Sequence, residues 1–332
     1  MQSSKIFKFC KTTIKKVPQS CGVYLFYSSD KDIIYIGKSV NLNSRINSYL
    51  YRGKANQHVR KKRLIHNIHY FKYIVVKAEL SALLLEDNLI KQYRPEYNVK
   101  QNEFQEYTYL EITEDTFPAI KQHESDSLNV VDQSIFGPLK DIHYYNKLKE
   151  HLTYLFHIRS CNDKIPKQKC INYKINQCSA PCREMVDKDG YDEIVKKTIN
   201  FLQGECSEVL KILQNKLTNY NHNLDYENSA LIRDRIIFCT NYCRRQKFIN
   251  NFFCKNLLIK TESEFAYSYL FNEGKLLYSG QDIQNIEECK QKIDCLSNQH
   301  KTEGEYVIFD RANIVYSWLN KHSKNTQYNF FV

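Results

Sequence analysis

The sequence predicts an α+β protein in four parts. Residues 1–100 form a small basic domain with a three-stranded sheet and helices, and residues 101–190 a connector carrying four cysteines. A helical hairpin follows over 191–248, then a small α/β region over 249–332. Three observations predict this. Short runs rich in β-branched and aromatic residues (Gly22 to Tyr27, Ile33 to Gly37, Tyr70 to Lys77) alternate with helical patterns. From Tyr191 the apolar period changes to that of helices. A chain of 332 residues has room for two or three small domains rather than one large core.

The first twenty residues carry five lysines and end near Pro18, which delivers the chain into the first strand. A polar turn over Ser28 to Asp32 joins that strand to Ile33-Ile34-Tyr35-Ile36-Gly37. Asn41 can cap a helix with the apolar stripe Leu42, Ile46 and Leu50. On that helix Arg45 and Tyr49 stand one turn apart and share a face. The hairpin therefore gathers Tyr24, Tyr35, Lys38, Arg45 and Tyr49. Phenols, an ammonium and a guanidinium together suit a site that handles a phosphodiester.

Charge points the same way. The net charge is +11, but residues 1–100 hold 14 Lys and 5 Arg against 6 acids, or +13, leaving −2 for the rest. Basic charge concentrated on one domain is the footprint of a polyanion, and DNA is the expected partner. Arg60-Lys61-Lys62-Arg63 falls within that domain, as a phosphate-contacting or simply solvated helix face. No run approaches the ~20 apolar residues of a membrane span. Nothing at the N-terminus reads as a secretion signal, so a cytoplasmic setting and reduced thiols are expected for the twelve cysteines.

The helix from Glu79 to Tyr93 carries an apolar stripe of Ala82, Leu83, Leu89, Ile90 and Tyr93, with Glu86 in its middle. A carboxylate there is costly unless it is paired with a base or ligates a metal. Beyond it, residues 101–158 read as short strands and a helix, with Phe136-Gly137-Pro138 as a turn. Cys161, Cys170, Cys178 and Cys182 then place four thiols within 22 residues, among mostly polar neighbours. Buried cysteines clustered by chance, a zinc site, or an iron–sulfur cluster all satisfy that pattern. Cys239 and Cys243, one turn apart, read as core-facing or incidental. Two amphipathic runs, near Ile194 to Tyr220 and Tyr226 to Phe248, flank a turn in which Asp225 can cap the second. In the last region a hairpin turns at Asn272-Glu273-Gly274, followed by a helix, the apolar run Tyr306 to Phe309 and an amphipathic helix around Trp318.

Gly22-Val23-Tyr24 and Tyr35-Ile36-Gly37, followed by Lys38, Arg45, Tyr49 and the segment Leu83 to Val99, resemble the GIY-YIG nuclease module of the UvrC family. The resemblance is to its N-terminal half or to the shorter Cho-like form, and it covers about the first 245 residues. It implies a DNA endonuclease of nucleotide excision repair that cuts 3′ to a lesion marked by UvrA and UvrB. On that reading Glu86 holds Mg2+ or Mn2+, and Asn98 closes the motif. Tyr35 first, or Tyr24 second, deprotonates water. A free phenol titrates near ~10, so Lys38 is expected to lower that value. Arg45 neutralises phosphate charge, while Tyr49 and Asn98 orient these groups. The resemblance ranks a [4Fe-4S] cluster on Cys161, Cys170, Cys178 and Cys182 above zinc. It also matches Leu224, Tyr226, Glu227, Ala230 and Arg233 to the UVR motif that meets UvrB. The tail looks too short for a second nuclease centre. A non-cutting adaptor, or a nuclease acting on RNA, is the rival reading; the intact residue set opposes the first, and the hairpin with the cysteines opposes the second.

Overall fold

The computed structural model describes residues 5–51, 59–98, 107–123, 134–161, 170–261, 267–281, 283, 285–296 and 304–332. The chain folds as two compact units, one of Met1–Gln105 with Phe252–Val332 and one of Glu106–Asn251.

The first unit opens with β1 (Phe7–Lys8), α1 (Lys11–Ile14), β2 (Gly22–Tyr27) and β3 (Ile33–Ser39). Helices α2 (Leu42–Tyr51) and α3 (Val59–Asn67), strand β4 (Tyr70–Val75) and helix α4 (Glu79–Tyr93) follow. The strands form an antiparallel sheet in the order β1-β4-β2-β3. Three of them are the expected ones, and the two-residue β1 adds an edge from within the basic lead-in. Asn41 caps α2 as its sequence suggests, its Oδ1 accepting from Ser44 N at 2.9 Å.

Central strand β2 is buried along its whole length, so its alternating side chains serve two cores. Tyr24 and Phe26 pack with Leu42, Ile46, Tyr49 and Phe71. Val23, Leu25 and Tyr27 pack with Ile36 and with Ala82 and Ile90 of α4. The stripe on α4 is the expected one in part: Ala82, Leu89 and Ile90 face the core, Tyr93 is exposed, and Leu80 and Leu84 are buried as well. The C-terminal segment supplies a second partner for this helix.

That segment comprises β8 (Asn256–Thr261), β9 (Tyr267–Asn272), β10 (Lys275–Gln281), a helix Ile286–Leu296, a helix Glu305–Lys321 and β11 (Thr326–Phe331). Its sheet runs β10-β9-β8-β11, antiparallel. The hairpin turns where expected, although residues 262–266 lie outside the described set. Tyr306 to Phe309 belong to the last helix, and that helix packs on α4.

The second unit has β5 (Thr108–Ile112), β6 (Ile120–His123) and β7 (Ile135–Leu139) in the order β6-β5-β7. Helices α5 (Ile142–Phe156), α6 (Ile171–Lys174), α7 (Lys188–Leu202), α8 (Ser207–His222) and α9 (Tyr226–Cys254) follow. The C-terminal helices are accordingly α10 (Ile286–Leu296) and α11 (Glu305–Lys321). Two expectations change here. Phe136-Gly137-Pro138 is not a turn but the body of β7, where the pairing with β5 shifts between Thr108 and Leu110. The first helical run is two helices, broken at Gly204, whose φ of +100° an L side chain rarely adopts. Asp225 caps α9 through its Oδ1, which accepts from Asn228 N at 3.1 Å.

Candidate active site

The pairing of β2 with β3 sets Tyr24 opposite Gly37 and Phe26 opposite Tyr35. The register shifts between Phe26 and Tyr27, so β3 carries one extra residue, Ile34. That bulge lets Ile33 and Ile36 face the α4 core, while Tyr35 joins Tyr24 and Phe26 on the other side. The Tyr24 ring lies directly over Gly37. A Cβ at that position would sit 2.5 Å from the Tyr24 hydroxyl and 2.6 Å from its Cζ. Tyr24 is fully buried and has no room to retreat.

Helix α2 completes the cluster from one face. The Tyr24 and Tyr49 hydroxyls are 3.0 Å apart, and Arg45 Nε donates to the Tyr24 hydroxyl at 3.1 Å. The Arg45 guanidinium stands 5.6 Å from the centre of the Tyr49 ring. The Tyr35 ring stands 6.1 Å from the Tyr24 ring, beside this pair. Burial, then the neighbouring phenols of Tyr49 and Tyr35, hold the Tyr24 proton in place despite Arg45. Burial, then Tyr49 and Glu86, push Tyr35 up to about 12. Arg45 is partly buried, which acts against its charge, but the oxygens of Tyr24 and Tyr49 outweigh that and hold it protonated.

These values correct one expectation. Lys38 does not act on Tyr35, because its ammonium is engaged elsewhere, 2.8 Å from Glu79 Oε1. Glu79 was absent from the expected set. Its one sequence signal is its place seven residues before Glu86, two turns back on the same helix face.

Glu86 reaches the same site from α4. Its Oε1 accepts from the backbone N–H of Lys38 at 2.8 Å, not from a basic side chain. Burial pushes its carboxyl up to about 7, against the pull of the Lys38 N–H and ammonium and of Arg45. A half-buried carboxylate in that condition gains most from a small divalent cation, and Mg2+ uses one or two carboxylates plus waters. The residues fit such an ion. Among the described residues, no group of three or more His, Cys, Asp or Glu side chains is placed to hold a metal, so the cation would be held by few protein ligands.

Asn98 takes no part in the hydroxyl cluster. It clamps β3, with Oδ1 accepting from Ile36 N at 2.9 Å and Nδ2 donating to Ile36 O at 2.8 Å. Ile36 lies between Tyr35 and Gly37, so the clamp fixes where both point. On α3, Arg60, Lys62 and Arg63 are exposed, and Arg60 donates to Glu96 O at 3.2 Å, beside the Asn98 turn. In the second unit, burial raises the Cys178 thiol, and Cys161, Cys170 and Cys182 raise it further, so the four sulfurs share one neighbourhood. They do not form a metal-holding group among the described residues. The Cys206 and Cys243 sulfurs meet between the start of α8 and α9. At the α8–α9 turn, Leu224 and Tyr226 are 67% and 71% exposed, and Glu227 and Arg233 are exposed beside them. Ala230 is half-buried.

Residues 20–99 match the UvrC-like GIY-YIG domain, and residues 107–201 match the UvrC/Cho excinuclease middle domain. The chain belongs to the UvrC family. Residues 20–99 are its UvrC-like GIY-YIG domain. UvrABC system protein C of Clostridium acetobutylicum is 31% identical over 275 residues, 80% of this chain and 44% of that one. Its counterpart in Dictyoglomus thermophilum is 33% identical over 281 residues, 80% of this chain and 45% of that one. The chain thus spans less than half the length of these relatives. The solved N-terminal endonuclease domain of UvrC from Thermotoga maritima, bound to magnesium, is 39% identical and covers 26% of this chain and 93% of that one, with a TM-score of 0.24. No helix among the described residues is long and apolar enough to cross a membrane.

Proposed function

We propose that this UvrC-family chain is a divalent-metal-dependent DNA endonuclease of nucleotide excision repair, cutting on the 3′ side of a lesion marked by UvrA and UvrB. One observation carries the reading. Two phenols and a guanidinium meet within hydrogen-bond distance on one side of β3 with the Tyr35 ring beside them, and the Glu86 carboxylate, held by a backbone amide rather than an ion pair, acts on Tyr35 and Arg45 from α4.

Mg2+ or Mn2+ held by Glu86 would bind the scissile phosphate and stabilise the charge that develops on it. The chain's own groups do the rest. Arg45, fixed on the Tyr24 hydroxyl and kept charged, lies ready for a phosphate oxygen. Tyr35 is the candidate base, since it is the less buried of the two tyrosines. The Tyr24 oxygen is already committed to Tyr49 and Arg45. Charge on Glu86 is one of the causes that hold the Tyr35 proton, so neutralising that charge eases its loss. Tyr49 orients Tyr24 and Tyr35, and Asn98 orients β3. Arg60, Lys61, Lys62 and Arg63 offer a basic helix to the DNA backbone.

Two further parts of the reading concern the second unit. Leu224 and Tyr226, with Glu227, Ala230 and Arg233, form the surface for UvrB; apolar side chains left in water at a hairpin tip support a protein partner. The four gathered thiols take a [4Fe-4S] cluster, with zinc as the alternative; protein purified without oxygen would contain iron and sulfide, or else stoichiometric zinc. The setting is cytoplasmic.

The test is a duplex with one bulky lesion, labelled at both ends and incubated with the chain, UvrA, UvrB and Mg2+. The expected result is a 3′ nick that disappears in Glu86→Gln and weakens with added salt. A 5′ nick, or a nick unaffected by Glu86→Gln, would overturn the assignment.

A further inference from the structure

The C-terminal segment grips α4, the helix that carries Glu86, at two levels. Near its start, the Tyr269 hydroxyl lies 2.9 Å from Ser81 Oγ and accepts from Ser81 N at 3.2 Å. Two turns on, Lys91 Nζ lies 2.7 Å from both Asp87 Oδ2 and Asp310 Oδ2, so one ammonium joins the helix to α11.

Ahead of both contacts, at the first residue of α4, sits Glu79, whose carboxylate is shared. Lys38 Nζ takes Oε1 at 2.8 Å. From the end of α11, Lys321 Nζ stands 3.5 Å from the same oxygen, and His322 Nε2 stands 3.4 Å from Oε2. The His322 ring is held for this contact. It stacks on Trp318 at 4.7 Å, and its Nδ1 lies 2.9 Å from Trp318 O. Cys21 is the remaining titratable neighbour. The Glu79 side chain is only 17% exposed, while Lys321 is 69% exposed. Glu79 therefore has two ammonium groups and the His322 ring around it, and only one of the three, Lys38, belongs to the site.

This arrangement has a mechanical meaning. A Lys38 ammonium seated on Glu79 is not available to a phosphate. If it leaves, a mostly buried carboxylate loses its closest partner, which is costly unless another cation takes its place. Lys321 and His322 need to move only a few tenths of an ångström to close normal contacts.

We propose that Glu79 is a positioning residue which stores the Lys38 ammonium in the free chain, and that Lys321 and His322 take over its carboxylate when Lys38 moves to a DNA phosphate. The C-terminal segment is then a working part of the nuclease unit. The proposal rests on the nuclease reading for the phosphate, but its first test does not.

The experiment uses the full chain, with Glu79→Gln, the double variant Lys321→Ala/His322→Ala, and all three substitutions combined. Lys38 reactivity toward an amine-acylating reagent is read by peptide mass spectrometry without DNA. Removing the carboxylate should speed Lys38 labelling by roughly fivefold, the scale of one partly exposed ion pair. The double variant should slow labelling, because Glu79 then holds Lys38 alone. Affinity for a duplex, read by anisotropy without divalent metal, should fall about threefold to tenfold in the double variant, on the same scale. That fall should vanish when Glu79→Gln is also present. Lys321 contacting DNA directly would instead weaken binding equally in both backgrounds, and would overturn the proposal. Equal labelling of Lys38 in wild type and Glu79→Gln would also overturn it. Absence of incision by the wild-type chain, with labelling and affinity behaving as stated, would refute the nuclease reading and leave the ion exchange standing.

Discussion

Both units bury tyrosines, and the two sets are treated differently. In the second unit the Tyr191 hydroxyl donates to Pro118 O at 2.7 Å, and the Tyr242 hydroxyl donates to Leu202 O at 3.0 Å. Each phenol there is answered by the backbone, the Tyr191 hydroxyl also accepting from Arg159 N at 2.9 Å. In the first unit Tyr24 and Tyr49 are answered by one another and by Arg45, with Tyr35 packed beside them. Mutual satisfaction leaves oxygens and a cation directed at a common space, beside a carboxylate pushed up to about 7. Phenol burial alone therefore marks nothing. What distinguishes a site is polar groups whose partners are other reactive side chains.

The sharpest way to break that contrast is to remove the carboxylate. Glu86→Gln should lower incision by at least about a thousandfold, the scale expected when a metal-borne electrostatic contribution is lost. Folding should survive, since the Gln carbonyl can still accept from Lys38 N. A residual rate within tenfold of wild type would take Glu86 out of the reaction.

Next in size is the tyrosine comparison itself. Tyr35→Phe deletes one oxygen and should slow single-turnover incision by about a hundredfold or more, the lower end for a lost proton-transfer group. Tyr191→Phe and Tyr242→Phe delete the same atom from the other unit. They should instead cost about 1–2 kcal/mol of stability each, leaving a carbonyl unpaired, with cutting per folded molecule unchanged. Equal effects on rate from both units would end the distinction.

Gly37→Ala tests the contact that sets the cluster's geometry. The added methyl meets the Tyr24 hydroxyl at 2.5 Å, so either Tyr24 or β3 must shift. Overpacking of this kind costs about 1–3 kcal/mol. Incision should fall together with stability, and the double variant Gly37→Ala/Tyr24→Phe should recover part of the stability but not the rate.

The sequence made the cluster legible because strand alternation and one helical turn suffice to bring Tyr24, Tyr35, Arg45 and Tyr49 together. Glu86 was legible as a carboxylate at an apolar position. Three things were not. The bulge at Ile34 depends on pairing register, which a period-two pattern cannot show. The engagement of Lys38 with Glu79, and not with Tyr35, depends on which way a flexible side chain turns. The second partner of α4 lies more than 200 residues away in the chain, in the helix Glu305–Lys321, which no local pattern around Glu79 to Tyr93 can show.

The smallest expected effect probes a buried polar group of the second unit, where titration should bear on stability and not on reaction. His151 packs on the Phe238 ring at 3.9 Å, and Arg235 Nη1 lies 3.2 Å from its Nδ1. A guanidinium can only donate, so Nδ1 must accept and the ring is neutral. Burial, then the charges of Arg235 and Lys147, lower its pKa to about 4. An unfolded histidine titrates near ~6.5. Between these values the unfolded chain binds the proton and the folded chain does not, so this histidine's contribution to stability rises with pH. It is complete above about pH 6.5 and is lost as pH falls toward 4. A shift of that size corresponds to at most about 3 kcal/mol. Urea unfolding at pH 4.5 and pH 7 should show a wild-type difference that shrinks by up to this amount in His151→Asn, and incision per folded molecule at pH 7 should not change. An unaltered pH slope in the variant would mean that His151 is not held neutral. A changed incision rate would mean that the second unit reaches the chemistry after all.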